Sequence, residues 1–530
     1  MTPRRRWAAL AVLVLPVLLI SVDMTVLGFA IPALSSDLQP SGPQLLWIID
    51  IYSFLLAGLL VLMGNLGDRI GRRKLLMIGA TAFGVASVMA AFATSAEMLI
   101  AARALLGLGG ATLMPSTLSL IRTVFPDDRE RRNAVAVWAA SFAGGAALGP
   151  IVGGFLLEHF WWGSVFLINA PVMVLLLVGA FFLLPESRNP VPGPFDVVSA
   201  GLSIGGILPL VYGLKVIGTE GVSLLAVAGL LVGVALLSAF VRRQRRLPEP
   251  LLDVTLFANR IFTVAVLTNL LATFALIGVL FFLPQYLQIV LGLSPLTAGL
   301  WMMPLAIGTI TGSLAAPSLS RLVGLRVIIG GGMLLASVGF ATGAMLAPTG
   351  SLGALMVWTA LVGLGVGMAE SLTNDVIVAS APPERTGGAA AISETAYEFG
   401  AAMGTAVLGT VGLLVYRAGL DHAPLSVPER TVEAGGETLG ALSSAAAGLP
   451  EEVASAFVAV ANTAFTSGLS TVLAVAALVA AYAGAQALVV LRDPRKAPSI
   501  AARHPHPHTH PGPGHERLMR ASESAAPAFR

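Results

Sequence analysis

The chain has 530 residues, 56% hydrophobic and 11% charged, with a formal net charge of +3 and no cysteine. A soluble protein carries roughly 25% charge to solvate its surface, so a soluble enzyme, a disordered scaffold and a fibrous protein are excluded. Disulfides, thiolate nucleophiles and Cys-ligated metals go with them.

Mean hydropathy is +0.85, and the apolar runs reach the ~17–25 residues needed to cross a bilayer as helix. They lack the period-2 alternation of barrel strands. Helices are then the way left to satisfy the backbone in lipid. Fourteen spans are predicted: 7–32, 45–66, 75–94, 97–121, 133–157, 163–184, 195–215, 221–241, 260–284, 295–318, 326–347, 352–378, 387–415 and 463–491.

Arg4, Arg5 and Arg6 precede span 1 like the head of a signal peptide. That span holds Asp23 and lacks a small-residue cleavage site, so it reads as retained. Asp50 falls in span 2, about one and a half turns below its outer end at 1.5 Å per residue. Between spans 2 and 3 runs Gly64-Asn-Leu-Gly-Asp68-Arg69-Ile-Gly71-Arg72-Arg73-Lys74. Its glycines permit a tight turn, and Asp68 can pair with a guanidinium or a helix N-terminus, which suits a cytoplasmic latch.

Span 4 carries Arg103, read as the one base within the spans. Span 5 carries Gly145-Ala-Ala-Leu-Gly149-Pro150-Ile-Val-Gly153-Gly154: small residues for close helix approach and a proline that favours a bend. Spans 12 and 13 add Glu370 and Asp375, then Glu394 and Glu398. The connection 417–462 is rich in Ala, Gly, Ser and Glu and is expected to be external and part-helical. The tail beyond span 14 holds His504, His506, His508, His510 and His515 among prolines, the composition of a disordered segment.

Charges orient the spans. With both termini cytoplasmic, the inside receives Arg69, Arg72, Arg73, Lys74, Arg122, Arg129, Arg131, Arg132, Arg242, Arg243, Arg245, Arg246, Arg260, Arg321, Arg326 and Arg385, whereas the outside receives Lys215, Arg417 and Arg430. Gly71 and Arg73 recur as Gly324 and Arg326. That repeat predicts an all-α polytopic membrane protein of two pseudo-symmetric six-helix lobes with two helices inserted between them. The expected parts are a first lobe over 7–184, inserted helices over 195–241, and a cytoplasmic linker over 242–259. A second lobe covers 260–491, including the external 417–462, and a cytoplasmic disordered tail covers 492–530. Transporters built of such halves bind cargo near the midplane.

An ionised side chain at mid-bilayer costs at least ~2.5–3.5 kcal/mol, so intramembrane charges are rare and functional by default. Asp23, Asp50, Glu370, Asp375, Glu394 and Glu398 outnumber the bases and predict an anionic cavity. Glu394 and Glu398, at i and i+4, share a helix face; two carboxylates that close repel when both are ionised and titrate as a coupled pair. A carboxyl that releases its proton when a cation arrives is what proton-for-cation exchange requires.

Together these motifs resemble the fourteen-span drug:proton antiporter branch of the major facilitator superfamily. Gly64–Lys74 matches the superfamily loop signature G-x-L-x-D-R-x-G-R-[RK], and Gly145–Gly154 matches the antiporter signature G-x-x-x-G-P-x-x-G-G. Asp23-Met-Thr25-Val-Leu-Gly28-Phe-Ala30-Ile-Pro32 is similar to the span-1 motif, with Gly28 for the usual Asn. Leu99 to Gly109, around Arg103, is similar to the span-4 motif, with Leu106 for a common Gln. The run Pro40 to Ser53 and the Glu394/Glu398 pairing are most similar to quaternary-ammonium efflux pumps. Some relatives carry a further acid where this chain has Thr309.

The resemblance implies a proton-coupled antiporter, not an enzyme, that exports lipophilic organic cations by alternating access. Asp23, Asp50, Glu394 and Glu398 would handle protons or cations, with Glu370 in the cavity and Arg103 acting on a nearby carboxylate. Gly64, Asp68, Arg69, Gly71, Arg72, Arg73 and the span-5 residues Gly145, Gly149, Pro150, Gly153 and Gly154 would serve the conformational change. No cofactor and no metal are expected, the proton gradient being the driving force. Expected partners are cationic small molecules, protons and membrane lipid, with no nucleic acid, in a monomer of the bacterial plasma membrane. Export of an endogenous antibiotic or metabolite is the alternative, and a non-transporting cation sensor the third. ATP-driven pumping is excluded within this chain, since no lysine completes a G-x-x-x-x-G-K-[ST] loop.

Overall fold

A computed structural model describes residues 1–188, 196–220, 223–248, 250–382, 385–421 and 427–491. The first six spans are α1 (Pro3–Leu38), α2 (Gly42–Ile70), α3 (Arg72–Ala91), α4 (Ala96–Val124), α5 (Asp128–His159) and the broken pair α6 (Ser164–Leu167) and α7 (Asn169–Leu183). Spans 7 and 8 are α8 (Val197–Glu220) and α9 (Leu224–Gln244). The remainder are α10 (Arg260–Gln285), the pair α11 (Pro295–Trp301) and α12 (Met303–Val323), α13 (Leu325–Leu346), α14 (Leu352–Ala379) and α15 (Thr386–Leu420). Short external helices α16 (Glu429–Glu437) and α17 (Leu442–Ala446) lead into α18 (Glu451–Val490). Fourteen helical spans among the described residues are long and apolar enough to cross a membrane.

Local sequence explains where the helices start. Ser41 and Gln44 form a reciprocal capping box on α2, while Ser95, Asp127, Ser223, Ser294 and Ser351 each accept a backbone N–H from the first turn they precede. Such caps satisfy donors that lipid cannot. Span 10 breaks at Met302, just before Pro304, and α10 is prolonged by a π turn over Tyr286–Val290 after Pro284. Neither irregularity is visible in a hydropathy pattern.

Within the first lobe α1 packs on α5 and α7, and α4 on α2 and α3; within the second, α10 packs on α15 and α18, and α14 on α12 and α13. The lobes meet through α1 with α10, α2 with α15, and α5 with α11 and α12. The repeat is written into the backbone. Gly71 (φ +109°) joins α2 to α3, and Gly324 (φ +92°) joins α12 to α13. Each serves as C-cap of one span and N-cap of the next in a conformation that disfavours any side chain.

The small residues of span 5 face two partners. A Cβ on Gly145 would come within 2.6 Å of the Leu18 carbonyl oxygen, and one on Gly149 within 3.3 Å of the Val22 oxygen. Gly153 stands against Val26, so the i, i+4, i+8 stripe lies along α1. Gly154 faces Pro295 and Leu296 of α11 across the lobe interface, and Gly299 of α11 faces the Pro150 carbonyl in return. Gly145→Val overpacks a backbone contact that cannot yield. Overpacking costs about 1–3 kcal/mol, and a lower melting temperature in detergent is the expected result.

The structure details two sequence expectations and changes a third. The segment 417–462 is largely folded among its described residues: Arg417–Leu420 close α15, and 451–462 form the first turns of α18. Its middle bridges the lobes. The Glu437 carboxylate accepts from the Gly42 backbone at 2.7 Å and from Arg417 at 3.1 Å, and Gly440 packs on Pro32 and Ser35 of α1. Secondly, in this conformation Asp68, Arg72 and Arg73 meet partners on α2 and α3 and at the end of the sixth span, within and just beyond the first lobe. Asp68 pairs with Arg72 at 2.5 Å. Glu186 accepts from the Arg73 and Lys74 backbone at the α3 N-terminus, at 3.1 and 3.2 Å, and Arg73 donates to the Phe181 carbonyl. Thirdly, Lys215 is not external. The helix of span 7 runs on to Glu220, which carries Lys215 inside, buried to 1% exposure. The histidine-containing tail and the 492–530 boundary lie outside the described residues.

Candidate functional site

A cavity of about 500 Å³ lies between the lobes, bounded by α1, α2, α4 and α5 on one side and α10, α12, α14 and α15 on the other. That volume suits a drug-sized molecule. Its wall is mainly apolar, with Met24, Phe29, Phe142, Leu280 and Phe281 among the contributors, and its ionisable lining groups include Asp50, Arg103, Glu370 and the phenols of Tyr52 and Tyr397.

Asp23 and Arg103, from α1 and α4, form a buried ion pair at 2.6 Å, each 2% exposed. Arg103 also donates through Nε to the Ile48 carbonyl at 3.0 Å. Its guanidinium lies 4.6 Å from the Tyr52 ring centroid and 5.9 Å from that of Phe166. Two charges in lipid are thereby held by each other, by a carbonyl and by aromatic faces, the arrangement a buried pair needs to offset its desolvation. Leu106, where a Gln was common in the motif, is fully buried, and the Ile48 carbonyl supplies Arg103 with an acceptor.

Asp50 is buried to 1% exposure, with Lys215 Nζ at 2.9 Å. Trp47, one turn earlier on α2, presents its ring to the same ammonium at 4.3 Å, and Thr405 of α15 neighbours Asp50. Sequence reasoning missed Lys215 because it stands at the apparent end of an apolar run, where a lysine ordinarily reaches for the interface. The signal available was its proximity to four further residues, Val216 to Thr219, that continue the helix.

The third group comes from α14 and α15. Glu370 lines the cavity and accepts from the Thr273 hydroxyl at 3.3 Å. Glu394 and Glu398 interact electrostatically with each other and with Tyr397, which also feels Glu370. Glu398 is buried to 1% exposure beside Ser53 of α2, and its two oxygens make no well-formed hydrogen bond among the described residues. Asp375, grouped with these acids in the sequence, lies five residues beyond Glu370 on α14 and is exposed. Thr309 lines the cavity but spends its hydroxyl on the Leu305 carbonyl at 2.9 Å. Among the described residues no group of three or more His, Asp or Glu is arranged to hold a metal.

The structure therefore gathers Asp50, Arg103 and Glu370 at the cavity wall, with Asp23 behind Arg103 and Glu398 close to α2. Gly28, Gly144 and Pro150 also line the cavity, whereas the Gly64–Lys74 segment, helical on both sides of Gly71, does not.

Comparison with known proteins follows this geometry. The profile of the Major Facilitator Superfamily matches residues 13–405. The chain is 47% identical to the multidrug efflux pump LfrA of Mycolicibacterium smegmatis, over 93% of this chain and 97% of that one. It is 38% identical to the methyl viologen resistance protein SmvA of Salmonella typhimurium, over 87% and 93%. It is also 34% identical to the tetracenomycin C resistance and export protein of Streptomyces glaucescens, over 91% of each. Among solved structures, a bacterial homolog of the human lysosomal transporter Spinster, inward-facing and unoccupied, superposes with a TM-score of 0.64 at 16% identity, covering 93% of this chain and all of that one; this likeness concerns the fold. With its two-lobed helical body, its cavity and these relatives, the chain belongs to the Major Facilitator Superfamily.

Proposed function

We propose that the protein is a proton-coupled antiporter that exports lipophilic organic cations from a bacterial cell, across the plasma membrane and as a monomer with both termini cytoplasmic. One observation carries this reading. An apolar cavity of drug size is lined by Asp50, Glu370 and Arg103; Asp23 and Lys215 stand behind it, paired with Arg103 and Asp50, and Glu394 and Glu398 interact with Tyr397, which lines it. The surplus of carboxyls leaves Glu370, Glu394 and Glu398 to hold protons or attract a cation, and the apolar wall selects for lipophilic cargo. The names of the relatives, multidrug efflux and methyl viologen resistance, are in keeping with it.

In the cycle we propose, lobes 7–184 and 260–491 rock about the cavity. The span-5 face (Gly145, Gly149, Pro150, Gly153, Gly154) provides the sliding contact, and the Gly64–Arg73 loop, with Asp68, Arg69, Gly71 and Arg72, stiffens the first lobe. A proton taken up outside on Glu394 or Glu398 is released to the cytoplasm, where the cation replaces it. The test is purified protein in liposomes with an imposed pH gradient and a fluorescent lipophilic cation, following cation and proton fluxes together. Opposed, coupled fluxes that disappear in Glu394→Gln are expected. Active wild type with no proton-linked cation movement would redirect the reading to a neutral or endogenous cargo.

A further inference from the structure

Spans 7 and 8 are extra to the two six-helix lobes, and one of them reaches the site. Helix α8 packs on α2 and α15, filling the groove where the lobes meet on that side; Phe54, Ile207, Val211, Ala402 and Ala406 form a small separate core there. Out of that apolar surround comes Lys215, with its ammonium 2.9 Å from Asp50 and over the Trp47 ring. Asp50 lines the cavity. Among the described residues, Lys215 thus couples α8 electrostatically to the cargo space through Asp50.

Stability does not explain this lysine. A buried ion pair replaced by apolar residues of like volume is often neutral or more stable, and a lysine in a span is costly to insert. The same three elements, a carboxylate, an aromatic face and an apolar surround, make up a binding site for an organic ammonium. Here the chain's own ammonium occupies it.

We propose that Lys215 is a tethered counter-cation: it neutralises Asp50 while the cavity is empty, and a lipophilic organic cation must displace it to engage Asp50. Spans 7 and 8 then take part in cargo selection. The displaced charge sets a threshold that charged cargo has to overcome and that neutral cargo does not meet. This inference rests on the cation-export reading above.

The test is equilibrium binding of tetraphenylphosphonium and of neutral triphenylphosphine oxide to purified full-length protein in nanodiscs at one fixed pH. Lys215→Gln removes the resident competitor and leaves Asp50 facing the cavity. Tetraphenylphosphonium should then bind at least about tenfold more tightly, since charges a few ångströms apart at low effective dielectric interact strongly, while the neutral ligand is unchanged. Lys215→Arg, which keeps the charge, should keep wild-type affinity for both. Unaltered or weaker tetraphenylphosphonium binding to folded Lys215→Gln overturns the proposal while leaving cation export standing. Absence of tetraphenylphosphonium binding in wild type and every variant overturns the export reading itself. Should Lys215→Gln fail to fold, the double variant Asp50→Asn/Lys215→Met, which buries no charge, decides. Its preference for the cation over the neutral ligand should fall to what Glu370 and its neighbours supply, and retention of the full wild-type preference overturns the proposal.

Discussion

Asp23→Asn should destabilise the protein by about 3–5 kcal/mol, the usual result of removing one partner from a buried ion pair. The reason lies in Arg103. Its guanidinium is 2% exposed, and the Ile48 carbonyl and two aromatic rings do not neutralise it. With the carboxylate gone, a full positive charge stands uncompensated between α1 and α4. Arg103→Met strands the opposite charge and should cost a similar amount. The double variant Asp23→Asn/Arg103→Met buries no charge and should recover most of the loss, because the coupling between residues in direct contact is what single substitutions remove. Thermal unfolding in detergent of the four proteins reads this directly. Equal melting temperatures throughout would mean that the pair contributes nothing. Transport should fail in all three variants, so stability and activity separate in the double variant.

Glu398→Gln should do the reverse, leaving stability intact while ending proton-linked transport. Glu398 is buried beside Ser53 without a well-formed hydrogen bond, and a neutral amide of the same shape is cheaper to bury than a carboxylate. What the amide lacks is the ability to take up and release a proton. Uphill transport driven by a pH gradient should therefore fall to background in everted vesicles, while cation-for-cation exchange without a gradient continues. Loss of both would place Glu398 in cargo binding, and loss of neither would remove it from the cycle.

The spans were legible because lipid imposes a strong, local rule: about twenty apolar residues, capped and flanked by charge. The Gly145–Gly149–Gly153 stripe and the Gly71/Gly324 repeat were equally legible, since both are patterns along one chain. Partners were not. Asp23 and Arg103 each stood out as a charge in a span, but their pairing joins residues 80 positions apart, and nothing local encodes it. Lys215 shows the complementary difficulty. Its neighbours Gly213 and Gly218 blur the end of the span, so a lysine three-quarters of the way along a helix looked like one at its edge. Glu186, which caps α3 from the end of the sixth span, escaped notice because its role exists only once the chain has returned to the same end of the bundle.

The two flanks of the lobe interface differ in a way that bears on how cargo arrives. On one flank α8 covers the α2–α15 seam, with α9 packed on α8. On the other, Ala140 and Ala143 of α5 and Ile310 and Leu314 of α12 line the cavity and are themselves exposed. An opening between α5 and α12 at these residues would join the cavity to the acyl chains as well as to water. A molecule using it is drawn from the membrane phase, where its concentration is the aqueous one multiplied by its partition coefficient. Half-saturating aqueous doses for a series of cargoes should then follow their lipid solubility as well as their fit, and diluting the protein with extra empty vesicles should raise them.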